Sequence, residues 1–116
     1  MSRLIAGIDI GGTRVKLGIV DLDEGTVSKT IVFNTCKLSE KAFLQSVCNA
    51  LNQCLEAQGL EKRELTGVGV SIGSYVFSDG TIDGMSSFVA FMDEGYPLVR
   101  QLEEILALPV RADNDA

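Results

Sequence analysis

Leu4-Ile-Ala-Gly-Ile-Asp9-Ile10-Gly11-Gly12-Thr13-Arg14-Val15-Lys16-Leu-Gly18-Ile-Val20 contains two apolar, β-branched runs separated only by a short glycine-rich turn. Runs of that composition read as buried strands. Strands joined so closely must be antiparallel neighbours, because a parallel crossover needs a dozen or more residues. The chain therefore opens on a hairpin. Asp21-Leu22-Asp23-Glu24-Gly25 stops the second run as a turn, with Asp21 as a turn former, and Thr26 to Asn34 reads as a third strand.

Further along, the period changes. Phe43, Leu44, Val47, Cys48, Leu51, Cys54 and Leu55 recur at three- and four-residue intervals, which predicts a helix over Ser39 to Gln58 lying on a sheet. Gly59 is placed to end it in a left-handed conformation. Leu65 to Ile72 is another buried strand, and the intervening helix makes it return parallel to the sheet. Gly73 to Gly95 is the least regular segment. Pro97 opens a second helix, expected to reach Leu108, and Val110 to Ala112 begins a last strand that ends in Asp113-Asn114-Asp115. The expectation is a single α/β domain over 1–116, a mixed sheet of about five strands with the first three antiparallel and helices packed on it.

Asp9-Ile10-Gly11-Gly12-Thr13 carries the chemistry. Adjacent glycines let the backbone approach an anion and adopt positive φ, so successive N–H groups can point at one phosphate oxygen. Thr13 adds a hydroxyl donor, and Asp9 is placed to hold a Mg²⁺ ion, directly or through water. Taken alone, the same residues make a hairpin turn with an acidic strand end. No Gly-Lys-Ser/Thr follows, so this is not the P-loop, and the next element is a strand, which excludes the dinucleotide fingerprint.

The segment from Leu4 to Asp21 is similar, nearly position by position, to the opening of ROK-family sugar kinases, and more distantly to the first phosphate motif of the actin, hexokinase and Hsp70 superfamily. Gly67-Val-Gly69-Val-Ser-Ile-Gly73-Ser74-Tyr-Val76-Phe-Ser-Asp79-Gly80-Thr-Ile82 resembles the family's next block, departing from its commoner Pro-Gly-x-Val-Asp form. Leu108-Pro109-Val110 followed by Asp113-Asn114-Asp115-Ala116 resembles its acidic-Asn-Asp-Ala landmark. The resemblance covers essentially the whole chain, in order. It implies a ribonuclease H-like (actin-like ATPase) lobe and ATP-dependent phosphorylation of a hexose or N-acetylhexosamine hydroxyl. The implied roles are Asp115 as catalytic base, Asp9 with Mg²⁺, and Gly11, Gly12 and Thr13 on the phosphates of ATP. Gly73 and Asn114, with Asp115, would contact the sugar. Lys16 reads equally as a basic residue beside the phosphates and as a solvated face residue. Phe88, Phe91 and Tyr96 read as satellite core beneath a loop or as walls of a sugar cleft.

A kinase of this fold needs two lobes, so the chain is expected to be the N-terminal one, a fragment inactive by itself. The adenosine site, the remaining sugar contacts and any structural zinc would then belong to a second lobe. The resemblance also implies a homodimer. Some ROK members are sugar-sensing repressors with a helix-turn-helix domain ahead of the motif, and here the motif begins at residue 9, which favours the kinase. A non-catalytic sugar- or nucleotide-binding module is the third reading, weakened by the presence of both Asp9 and Asp115.

Composition bounds these readings. Sixteen acidic against ten basic residues give a net charge of −6, which would repel a phosphodiester backbone and argues against nucleic acid. The absence of histidine excludes a Ser-His-Asp or Cys-His triad within the chain. Cys36, Cys48 and Cys54 have no metal-like spacing and read as small apolar residues in a reducing compartment. The apolar start is too short for a signal peptide or a membrane span, so a cytoplasmic protein is expected.

Overall fold

The computed structural model describes residues 3–85 and 89–114. Phe88 and Asp115, both singled out above, lie outside the described residues.

The opening hairpin forms as expected. β1 (Leu4–Ile10) pairs antiparallel with β2 (Arg14–Asp21), from Leu4 opposite Asp21 to Ile10 opposite Val15. Asp21 terminates β2 by accepting the N–H groups of Asp23 and Glu24 on Oδ1, both at 3.0 Å. The third strand is interrupted, which corrects the expected single run. β3 (Thr26–Val27) and β4 (Ile31–Asn34) both pair antiparallel with β2, giving six strands rather than about five. The break is at Ser28. Its N–H still donates to Ile19 O at 2.8 Å, but the Ile19 N–H is taken by the Ser28 hydroxyl at 2.9 Å. A side-chain acceptor thus replaces the main-chain one, and the ladder lapses before resuming at Ile31.

α1 (Glu40–Gln58) starts where Ser39 Oγ accepts the Ala42 N–H at 3.1 Å, an N-cap satisfying one of the orphan amides of the first turn. It ends at Gly59, whose φ of 66° is the left-handed conformation that favours glycine. A 3₁₀ turn (Lys62–Glu64) leads into β5 (Leu65–Ile72), which lies parallel to β1. α2 (Leu98–Leu106) is shorter than expected, and β6 (Val110–Asn114) adds parallel to β5. The sheet order is β3-β2-β1-β5-β6, with β4 also on β2.

Alternation divides the sheet into unlike faces. Ala6, Ile8 and Ile10, Val15, Leu17 and Ile19, and Val68, Val70 and Ile72 are all buried in one cluster with Phe43, Val47 and Leu51 of α1 and Leu98, Leu102 and Leu106 of α2. The opposite face carries Gly7 and Asp9, Lys16 and Gly18, Gly69 and Ser71, and Arg111 and Asp113. Cys54 packs in the core, where burial pushes its thiol pKa up, while Cys36 and Cys48 are half-buried; all three are free thiols. No helix among the described residues is long and apolar enough to cross a membrane.

α2 stops early because Ala107 turns left-handed, at φ 56°, with its N–H on Glu103 O. The Glu103 carboxylate then accepts the Val110 N–H at 3.0 Å, which ties the end of α2 to the start of β6. A Cβ in this conformation crowds the following carbonyl. Ala107→Gly is therefore expected to stabilise the fold by about 1 kcal/mol, read as a higher urea midpoint at unchanged slope. An unchanged or lower midpoint would contradict the assignment of strain at this cap.

Candidate active site

The three parallel strands end flush. Ile10 of β1 lies opposite Ile72 of β5, and Ile72 lies opposite Asn114 of β6. Gly11 and Gly73 therefore leave adjacent strands at the level that Asn114 occupies on the third. The Gly11–Thr13 turn, Gly73 and Asn114, which are far apart in sequence, thus share one edge of the sheet. It is the carboxyl edge of the parallel strands, where open α/β sheets bind ligands.

The turn itself differs from the expected conformation. Positive φ occurs at Gly25, Gly59, Gly80, Gly84 and Gly95 but at neither Gly11 nor Gly12. Gly11 is required instead by close approach: its N–H donates to Arg14 O at 2.9 Å, and a Cβ there would sit 3.0 Å from that same oxygen. Among the described residues, the N–H groups of Gly12 and Thr13 donate to no acceptor. Donors of this kind on a half-buried, glycine-bearing turn fit the oxygens of a phosphate chain.

A second group lies one level below, on the face opposite the core. Lys16 pairs with Asp9, Asp9 with Ser71, and Ser71 with Asp113. Residues directly opposite on neighbouring strands point to the same face, so Lys16, Asp9, Ser71 and Asp113 form one row across four strands. Asp9 and Lys16 are exposed, and neither makes an ion pair or side-chain hydrogen bond among the described residues. An open cleft of about 950 Å³ runs over this row and is walled by Val76, Phe77 and Gly80. The cleft meets the expected site only at Asp9 and Lys16; Gly11, Gly12, Thr13, Gly73 and Asn114 stand outside it. Asp9 offers an exposed carboxylate, the kind of oxygen donor that a hard cation such as Mg²⁺ prefers.

The described residues between 73 and 97 are better organised than their composition suggests. Ile82 is fully buried and bridges both Val76 and Tyr96. Phe91 packs between Phe43 and Tyr96, tilted against the first and edge-on to the second at centroid distances of 5.6 and 5.7 Å, so Phe91 and Tyr96 are satellite core. Burial, reinforced by the nearby Glu40 carboxylate, raises the Tyr96 phenol pKa. Asp93 and Glu94 are exposed. Ser74 is buried and takes both backbone groups of Gly84: its Oγ donates to Gly84 O at 3.2 Å and accepts the Gly84 N–H at 3.1 Å. Sequence reasoning missed this role because the partner lies ten residues on, in a segment without periodicity. It also missed Ser71 and Asp113, which only strand register aligns with Asp9.

The sequence pattern that defines the ROK family matches residues 5–116. The chain belongs to the ROK family. It is 27% identical over 113 residues to the glucokinase of Streptomyces coelicolor, covering 97% of this chain and 33% of that protein. The structure of a ROK family glucokinase from Streptomyces griseus, in complex with glucose and AMPPNP, superposes with a TM-score of 0.78 at 28% identity, over 97% of this chain and 33% of that one. A ROK family transcriptional regulator, a homologue of the E. coli MLC protein, superposes with a TM-score of 0.74 at 15% identity over 97% of this chain and 28% of that one, and shares the fold alone. This ROK chain thus spans about a third of the length of the glucokinases it matches, and its mixed sheet with helices on one face is that of its ROK neighbours.

The Ser74 lock makes a direct prediction. Ser74→Ala leaves the Gly84 N–H and carbonyl without their partner, an expected loss of roughly 1–3 kcal/mol. Gly84 cannot relax easily, since its φ is 110° and a Cβ there would lie 2.9 Å from Glu94 N. Chemical denaturation of the variant measures it, and a stability equal to the parent's would show the contact to be incidental.

Proposed function

We propose that this chain is the N-terminal lobe of a two-lobed, cytoplasmic sugar kinase that transfers the γ-phosphoryl group of ATP to a hydroxyl of a hexose or N-acetylhexosamine. The observation that carries the reading is the flush edge at Ile10, Ile72 and Asn114, which brings the Gly11–Thr13 turn, Gly73 and Asn114 together.

The residues present fit the groups this reaction needs. Gly12 and Thr13 offer unspent N–H donors to a phosphate chain, with the Thr13 hydroxyl beside them. Asp9 offers an unpaired, exposed carboxylate to Mg²⁺, and Lys16, directly across the hairpin, adds positive charge next to it. When bound, ATP–Mg²⁺ supplies the transferable phosphoryl group and neutralises its charge. Asn114 can donate and accept at once, which suits vicinal sugar hydroxyls, and Gly73 lets the sugar approach the backbone. Asp115 is assigned as the base that accepts the proton of the attacking hydroxyl, a poor nucleophile at neutral pH. A second lobe must close on this edge, because positioning of both substrates supplies most of phosphoryl-transfer catalysis.

Two substitutions in the full-length protein test the assignment. Asp9→Asn is expected to lower kcat by roughly 10²-fold or more through loss of metal positioning, and unchanged turnover would reduce Asp9 to a strand end. Asp115→Asn is expected to lower kcat by on the order of 10²–10⁴-fold while sugar Kd, measured by calorimetry on the same preparation, changes far less. Parallel losses in kcat and Kd would make Asp115 a sugar ligand, and an unaffected kcat would remove it from the mechanism.

A further inference from the structure

The glycine turn explains how a phosphate could be approached, but glycine alone does not hold a peptide in one orientation. With no Cβ at either position, the Gly11–Gly12 peptide is free to rotate at little steric cost. Rotation would turn the Gly11 carbonyl, a partial negative charge, toward the place an anion should occupy.

One residue prevents it. Thr35, the first after β4, is buried at 6% exposure and takes two carbonyls of the turn. Its Oγ1 donates to Gly11 O at 2.7 Å and its N–H donates to Thr13 O at 2.8 Å. In a planar trans peptide the C=O and N–H point in opposite directions. Holding Gly11 O therefore aims the Gly12 N–H away from Thr35, and Gly12 N–H is among the donors left unspent. The third fixed group is the Gly11 N–H on Arg14 O, so the turn is pinned from both sides.

We propose that Thr35 is a positioning residue for nucleotide phosphates, its hydroxyl acting through the Gly11 carbonyl to keep the Gly12 N–H directed at the anion. This rests on the kinase reading above. The backbone bond from Thr35 N survives any substitution except proline, so the hydroxyl is separable. Thr35→Val removes it at nearly constant shape, and Thr35→Ser keeps it.

The test is calorimetric binding of AMPPNP with Mg²⁺ to the full-length protein, beside the thermal midpoint of each variant without nucleotide. Thr35→Val is expected to weaken AMPPNP roughly ten- to a hundred-fold, the equivalent of one hydrogen bond to a charged group. Thr35→Ser should bind within about three-fold of the parent, a difference below 1 kcal/mol. A merely structural role would lower the midpoint of Thr35→Val and leave the affinity of the folded protein unchanged. That result, or equal affinity in all three proteins, overturns the proposal. Should Thr35→Val fail to fold, Thr35→Cys, whose S–H is a weak donor, carries the same comparison. A parent protein that binds no AMPPNP overturns the kinase reading and this inference with it, whereas a parent that binds with an indifferent Thr35→Val overturns the role of Thr35 alone.

Discussion

The parallel register of β1, β5 and β6 is the constraint on which the rest depends. Because Ile10, Ile72 and Asn114 are in line, three segments spread over more than a hundred residues of chain bring Gly11, Gly73 and Asn114 to one edge. A slip by one residue would exchange the faces of a strand. In β5 it would drive Ser71 into the helix-packed core and expose Ile72. The apolar alternation of Val68, Val70 and Ile72 therefore holds the site as well as the fold, and the burial of that face by α1 and α2 is the energy that opposes slippage.

The two faces of the sheet divide the labour. One is sealed by Phe43, Val47 and Leu51 from α1 and by Leu98, Leu102 and Leu106 from α2. The other presents Lys16, Asp9, Ser71 and Asp113 in a row with glycines above them, beneath an open cleft. Charged groups placed there keep their hydration, and no buried partner is needed to offset the cost of burying them. Asp9 is exposed there and makes no structural ion pair among the described residues.

Much of the organisation was legible in the chain. The hairpin, both helices, the parallel return of Leu65–Ile72 and the capping role of Gly59 follow from local periodicity and turn chemistry. The glycine turn lies where the sequence placed it, but Gly11 is required there by close approach to Arg14 O within the turn, and not by positive φ. The interrupted third strand was illegible, because Ser28 substitutes its hydroxyl for a main-chain acceptor and nothing in Thr26 to Asn34 announces that choice. The early end of α2 was missed for a related reason, since alanine rarely takes the left-handed conformation seen at Ala107.

By itself the sequence determined the alternation of elements and the place of the glycine turn between the first two strands, because propensity, period and turn preference act over a few neighbouring residues. Only the tertiary structure decided that Ser71 and Asp113 stand in line with Asp9, that Ser74 closes on Gly84, and that Thr35 grips the turn from twenty-four residues away. Those facts depend on pairing between segments distant in the chain. A hydroxyl, unlike an apolar stripe, carries no period that reveals its partner.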